Sequence, residues 1–373
     1  MSIAHVAQAA HVSYATAWRI INNQPCRSAQ AVRAVREAVS RLGYAPGQTR
    51  RGRPRKGSDG IRTHNVALLH FRTASSVSTS VLADVQRMLG ERNLNLIFAH
   101  VAHLQGLPQA VRSGNIDGIL GYGEFPEDAV TPALRRIPAV WMMSRWDGGA
   151  DAWGDRVKPD HQAIGRLAAQ YLLARGHRHV AYFNPAPAQG VYTEREAAFR
   201  IAAEGRAERV SILSSDETSA DAQHFAAMDR AAEAFVAQWL AASPRPTGVF
   251  VPVDRVTLRV YRHLLQHHVQ PGGDLEIVSC DKEEDLLSLM NPQPKSIDLN
   301  RQAVARFAVD RLLWRMRHGN TAPSVCVTVS PVLDAPLDEA WKPAEKAPSG
   351  NGNGEGRPKA PSKRLRAEAI EDS

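Results

Sequence analysis

The twelve residues from Val12 to Asn23 admit little besides a short helix. Ser13 can cap the free backbone N–H groups of a first turn. Val12, Thr16, Ile20 and Asn23 recur at helical spacing as a face to be buried, which leaves Tyr14, Ala15 and Arg19 outward. Upstream, Ile3, Val6, Ala7 and Ala10 keep the same period, with only His11 and Val12 between the two runs. Helices joined this tightly make a helix-turn-helix, which sets its second helix in a groove of DNA. A third helix is expected from Ser28 to Leu42, capped by Ser28, with Ala31, Val32, Val35, Val39 and Leu42 inward. It stops at Gly43-Tyr44-Ala45-Pro46, where a helix cannot continue.

Charge points the same way. Residues 1–64 hold ten arginines and Lys56 against Glu37 and Asp59, a net +9, whereas the whole chain carries +8. The basic character is therefore confined to the amino end, as a phosphate-contacting module requires.

With 373 residues and 43% hydrophobic content, the chain can bury more than one core. Neither a signal peptide nor a run of 18 uncharged apolar residues is present, so a cytoplasmic, nucleoid-associated protein without a membrane span is expected. Cys26, Cys280 and Cys326 are odd in number and far apart, which reads as reduced thiols rather than a metal site. No cofactor is expected.

Residues 1–45 form the headpiece in this reading, and 46–64 a linker. Between Gly47 and Gly60 stand four glycines, Pro54, Arg50, Arg51, Arg53, Arg55 and Lys56, with no hydrophobic side chain. From Asn65 the pattern alternates. Apolar strands are expected at Val66–Phe71, Leu94–Val101, Ile116–Leu120, Pro138–Met143, Val180–Phe183, Val210–Leu213, Gly248–Val253 and Leu275–Cys280. Helical periods such as Ser80–Arg92, Ala163–Arg175 and Asp221–Ala242 fall between them. Such alternation predicts parallel sheets covered on both faces. The run is too long for one open sheet, so residues 65–342 are expected to make two Rossmann-like subdomains, 65–159 with 300–320 and 160–299 with 321–342, flanking a cleft for a small ligand. Residues 343–373, centred on Gly350-Asn351-Gly352-Asn353-Gly354, read as a disordered tail.

These residues resemble the LacI/GalR family of bacterial transcription regulators. The headpiece likeness rests on Ile3, Val6-Ala7, Val12-Ser13, Thr16, Arg19, Asn22 and Leu42-Gly43-Tyr44-x-Pro46. The later likeness rests on Asp117-Gly118, Pro138, Asp160, Gly176-His177-Arg178, Arg195, Asp254 and Asp281. The resemblance implies an all-α headpiece before an α/β periplasmic-binding-protein-like core. It implies a homodimer that binds double-stranded operator DNA, senses a small molecule, most often a sugar, and is not an enzyme. Ser13, Tyr14, Ala15, Thr16, Arg19 and Asn22 are the implied DNA contacts. Arg19 suits the O6/N7 edge of guanine, and Ala15 offers a methyl group to thymine. Trp18 replaces a small residue usual in the family and is expected to pack on the third helix.

The linker departs from the family, which places a hinge helix with a wedging leucine here. Arg51-Gly52-Arg53-Pro54, followed by Arg55, looks instead like an AT-hook core that could lie in a narrow A·T minor groove. A merely flexible basic tether is the other reading. For the effector, the resemblance implies Arg195 as the grip on ligand oxygens and Asp281 as acceptor of hydroxyls, with Arg72, Arg145, Trp146 and Asp254 beside them. The asparagine usual before Asp254 is Val253, and Met143-Ser144-Arg145-Trp146 stands where an acidic residue is usual. Trp141 or Trp146 could stack on a sugar, though core packing suits each better. His263 and His267 have i,i+4 spacing but no third ligand, and His177 reads as structural. A secreted sugar receptor lacks its leader here, and an enzyme its phosphate loop, metal cluster or nucleophile pair. An architectural DNA binder with a vestigial sensor remains the alternative.

Overall fold

The computed structural model describes residues 3–21, 24–26, 28–42, 61–71, 76–101, 106–123, 134–143, 153–216, 225–319, 323–335 and 340–342. It divides into two units, Met1–Asp160 with Leu299–Pro331, and His161–Asp298 with Val332–Ser373. Among the described residues, no helix is long and apolar enough to cross a membrane.

The first unit begins with α1 (Ile3–Ala9), α2 (Tyr14–Ile21) and α3 (Ala29–Arg41). They close on their own core of Val6, Ala7, Ala10, Ala17, Ile20, Val35 and Ala38. The α3 cap is the expected one, with Ala31 N donating to Ser28 Oγ at 3.2 Å. The inward face differs from the expectation. Ala17 and Ala38 are fully buried, whereas Thr16, Ala31, Val32, Val39 and Leu42 are half-buried. Ala17 and Ala38 are as deeply buried as Val6 and Val35, because short helices in so small a domain must approach closely.

The same unit carries a parallel sheet of β1 (Asn65–Phe71), β2 (Asn95–Val101), β3 (Gly118–Gly123), β4 (Ala139–Met142), β5 (Asp155–Pro159) and the last strand among the described residues, β11 (Cys326–Val329). Its order is β11-β5-β4-β3-β1-β2. Val66, Leu68, Leu120 and Val140 pack on one face with Val85 and Leu89 of α4 (Ser76–Gly90) and with Val304, Ala308 and Leu312. Ala67, Leu69, Ile119, Ala139 and Trp141 fill the other face with Val111 of α5 (Gln109–Arg112). Burial on both faces is why these strands read as unbroken apolar runs.

The second unit holds β6 (His179–Asn184), β7 (Arg209–Ser214), β8 (Gly248–Phe250), β9 (Glu276–Cys280) and β10 (Lys295–Ile297), ordered β10-β9-β8-β6-β7 and all parallel. Its helices are α6 (His161–Ala174), α7 (Gly190–Ala203), α8 (Phe225–Ala241), α9 (Asp254–Gln266) and α10 (Glu284–Leu287). The final helix, α11 (Arg301–His318), returns to the first unit and packs on α4, β4 and β5. Phe183, Phe235, Trp239, Val249, Val260 and Leu264 centre the second core. Both sheets are therefore parallel α/β layers of the kind the alternation predicts.

Three strands escape the sequence pattern. β5 interleaves Arg156 and Lys158 with apolar residues, β10 is three residues long, and β11 is an edge strand with two of its four residues exposed. The assignment of 321–342 to the second subdomain is corrected for its first part. β11 pairs with β5, so the described residues 323–331 complete the first unit, and the chain re-enters the second at Val332, which bonds Asp298.

Candidate DNA interface and ligand site

The α1–α2 corner is tight enough to force His11 to φ 51°, a left-handed conformation that costs an L residue about 1–2 kcal/mol. The turn is held by Val12 N donating to Ala7 O at 3.0 Å. Ser13 then caps α2, with Thr16 N donating to its Oγ at 3.2 Å and the Thr16 hydroxyl meeting that oxygen at 2.8 Å. Thr16 is thus tied into the cap and half-buried. With Ala17 and Ile20 inward, α2 turns Tyr14, Ala15, Trp18 and Arg19 to solvent. Arg33, Arg36 and Arg41 of α3 are exposed too, and Arg41 Nη2 donates to Ala9 O, tying the end of α3 to α1.

Trp18, which the sequence reading packs on the third helix, keeps a large part of its surface exposed. It is 41% exposed, one turn after Tyr14 at 57%. The i,i+4 spacing from Tyr14 is the signal that would have put it on the outward face. Asn22 and linker residues 46–60, with Arg51, Gly52, Arg53, Pro54 and Arg55, lie outside the described residues, as does the tail.

Arg195 and Asp281 lie at the carboxyl edge of the second unit's sheet, the edge at which open parallel sheets bind small molecules. Arg195 projects from α7 and is buried. Its Nη1 donates to Pro252 O at 2.7 Å and its Nε to Nδ1 of His161 at 3.3 Å. Asp281 follows β9 with φ 110°, and its charge acts on the Arg195 guanidinium. These two expected groups are therefore brought together at one edge. Glycine sets the depth of Arg195: a Cβ on Gly165 of α6 would lie 2.1 Å from the Arg195 carbonyl oxygen. His161 and Asn184, which donates to Glu196 Oε2 at 2.7 Å, also belong to this edge and escape sequence reasoning. No spacing in the chain links them to Arg195.

Asp254 takes a different place from the one expected. Its side chain is fully buried, receiving Ser279 Oγ at 2.5 Å, Ser296 Oγ at 2.8 Å and Glu283 N at 2.8 Å. Burial pushes its carboxyl up to about 6 against those bonds. It braces the loops after β8 and β9 and turns no oxygen outward, so direct ligand contact by Asp254 is corrected to support of the edge that carries Asp281. Trp141 is likewise core: it is fully buried, its indole N–H donates to Trp153 O at 2.8 Å, and its ring covers Gly121. Arg72, Arg145 and Trp146 lie outside the described residues.

The histidines resolve individually. His177 is clasped by Thr247 at 2.9 Å and Glu276 at 2.8 Å, as a structural histidine should be. His263 faces Asp229 at 3.2 Å, and no group of three metal-ligating side chains occurs among the described residues. At the opposite edge of the second sheet a cavity of about 300 Å³ is lined by Tyr171, Arg175, Tyr261, Glu276 and Trp341. Several of its polar groups are already engaged. Tyr171 and Arg175 both donate to Glu276, and the Trp341 indole donates to Gly272 O.

Residues 169–334 match the family model described as a periplasmic binding protein-like domain. The ribose operon repressor of Escherichia coli K12 is 24% identical over 320 residues, covering 83% of this chain and 92% of that protein. Among solved structures, a transcriptional regulator CelR–cellobiose complex aligns with a TM-score of 0.58 at 22% identity, over 90% of this chain and 98% of that one. The lac repressor dimer bound to operator and an anti-inducer aligns with a TM-score of 0.56 at 19% identity, over 91% and 99%. These likenesses establish the fold.

Proposed function

We propose, for this member of the LacI/GalR family of bacterial transcription regulators, a sequence-specific repressor that works as a homodimer on operator DNA and answers a small polyhydroxylated effector. The observation that carries the reading is the outward row of Tyr14, Ala15 and Arg19 on a Ser13-capped helix, within an amino end of net charge +9. Two headpieces are required because one reads too few base pairs to be selective. Among the described contacts, Arg19 takes guanine, Tyr14 a base or phosphate, and Ala15 a thymine methyl, while Ser13 and Thr16 hold the helix start against the backbone. Asn22 adds a contact at the helix end.

The effector site centres on Arg195 and Asp281. A guanidinium fork beside a carboxylate binds vicinal hydroxyls by donating to one oxygen and accepting from the next. The family resemblance adds Arg72, Arg145 and Trp146 to the effector contacts. Two relatives named above are a ribose operon repressor and a cellobiose-bound regulator, so pentoses and disaccharides are the first effectors to try. The protein works in the cytoplasm, at the nucleoid.

The linker gives the second element of the grip. Arg51 and Arg53, on either side of Gly52 and before Pro54, insert into the minor groove at the operator centre, with Arg55 following the backbone. The centre of the operator is accordingly A·T-rich, and Arg51→Ala with Arg53→Ala removes that preference while leaving the half-site sequence unchanged. A guanine–cytosine centre in the selected sites refutes the minor-groove role.

Selection of sites from random DNA by the full chain, with and without a panel of sugars, tests the whole reading. A paired half-site whose recovery falls when one sugar is added is the expected result. Arg19→Ala lowers discrimination between that site and random DNA by roughly 1–3 kcal/mol. Equal discrimination by the variant removes Arg19 from base reading. Thermal melting with each sugar decides the sensor, because a ligand that binds only the folded protein raises the melting point. A selected operator without any ligand response leaves an architectural binder with a vestigial sensor.

A further inference from the structure

The cavity at the amino edge of the second sheet stands apart from the groups assigned to the effector. Glu276 and Lys295, which line it, are the first residues of β9 and β10. Asp281 follows the far end of β9, so at about 3.3 Å per residue the strand sets roughly 16 Å between the two places. Tyr171, Tyr261 and Trp341 wall the cavity, and each has its polar atom turned to the protein itself. The Tyr171 hydroxyl donates to Glu276 at 2.8 Å, the Tyr261 hydroxyl to Pro292 O at 3.0 Å and the Trp341 indole N–H to Gly272 O at 2.8 Å. What these rings leave to the cavity is carbon, and Ile277, Pro292 and Pro294 add to it. Trp341 is fixed to the wall a second time, since its backbone N donates to Arg175 O at 2.9 Å and its ring lies 4.8 Å from that of His177. The charges of the lining are unequal. Glu276 accepts from Tyr171, from Arg175 at 3.0 Å and from His177 at 2.8 Å, whereas Lys295 brings a second cation to the exposed edge, where Gln293 is exposed too.

We propose that this cavity is a second ligand site, separate from Arg195 and Asp281, and that it takes a small aromatic carboxylate. A sugar needs many polar contacts, and the polar atoms of these three rings are already engaged within the fold. A flat ring instead meets aromatic edges and faces, and such pairs contribute beyond the area they bury. A volume of about 300 Å³ is at the small end of ligand pockets and suits one or two rings. The carboxylate goes to the exposed edge, where the Lys295 ammonium supplies charge and the Gln293 amide a further donor.

The test titrates the full chain with benzoate, benzamide and cyclohexanecarboxylate by ligand-observed NMR, with melting curves in parallel. Benzoate binds at about millimolar concentration and raises the melting point. Benzamide, which lacks the charge, and cyclohexanecarboxylate, which lacks the aromatic ring, each bind about fivefold more weakly. Lys295→Met abolishes the preference for benzoate over benzamide and keeps that for benzoate over cyclohexanecarboxylate. Its position is exposed, so its melting curve without ligand matches the wild type. Gln293→Trp, also at an exposed position, fills the entrance and weakens benzoate and benzamide alike. Asp281→Asn leaves benzoate binding as it was, because it alters only the other end of β9. The proposal is overturned if benzoate fails to bind, or if benzamide or cyclohexanecarboxylate binds as tightly as benzoate. It is overturned as well if Lys295→Met and Gln293→Trp both bind benzoate as the wild type does, or if Asp281→Asn abolishes that binding, which would seat benzoate with the effector.

Discussion

Replacing Arg315 by leucine is expected to destabilise the first unit by about 3–5 kcal/mol, read as a lowered urea midpoint of the full chain, because it strands a buried carboxylate. Asp155 has no exposed side-chain surface. One of its oxygens takes Arg315 Nη2 and Val325 N, at 2.5 and 3.0 Å, and the other takes Arg311 Nε. Burial alone would raise the Asp155 carboxyl, and the bonds from Arg315, Val325 N and Arg311 outweigh it, holding it below its ordinary value. Asp155 therefore stabilises the fold above the unfolded carboxylate range near 3.9, and that contribution is lost as pH falls through the lower folded value. Without Arg315 the sign reverses. Burial then favours the protonated acid, so the deficit of the variant narrows as the pH is lowered toward 4. Pairing Arg315→Leu with Asp155→Leu should recover most of the loss, since an apolar pair needs no partner. A loss below 1 kcal/mol for Arg315→Leu alone would mean that Arg311 suffices.

Gly165→Ala is the second large effect, and it acts on sensing. The added methyl would stand 2.1 Å from the Arg195 carbonyl oxygen and 3.0 Å from Phe199 N, both backbone atoms of α7 that no rotamer can clear. The two helices must separate, which costs about 1–3 kcal/mol in overpacking and exceeds the gain of up to about 1 kcal/mol from replacing a helical glycine. Because α7 carries Arg195, the guanidinium leaves Pro252 O and His161. The expected result is a lower melting point and no thermal response to the effector, with DNA binding retained because the headpiece has its own core. A variant that melts higher than the wild type would show that α6 and α7 have room to part.

Much of this was legible in the chain. Ser13 and Ser28 cap helices because a hydroxyl before an apolar period satisfies orphan N–H groups locally, which needs no tertiary partner. Strands such as Val66–Phe71 and Val180–Phe183 announced themselves because both faces of a parallel sheet are buried. The strand Cys326–Val329 did not, since it is only four residues long and its partner Asp155–Pro159 lies far away in sequence.

The site divides along the same line. Sequence alone determined the headpiece and its cation cluster, the alternation that yields two parallel sheets, and the presence of Arg195 and Asp281, because these depend on local period, charge and chain order. Tertiary structure alone decided which like groups serve which end. Asp254 and Asp281 follow neighbouring strands, yet Ser279, Ser296 and a backbone N–H enclose the first, while the second lies where its charge acts on Arg195. Trp18 and Trp141 are the same residue type, but Trp141 is closed into a sheet face over Gly121 while Trp18 is left outside a core filled by alanines. Exposure is set by what packs opposite a side chain, and that partner is a property of the folded chain rather than of the residue.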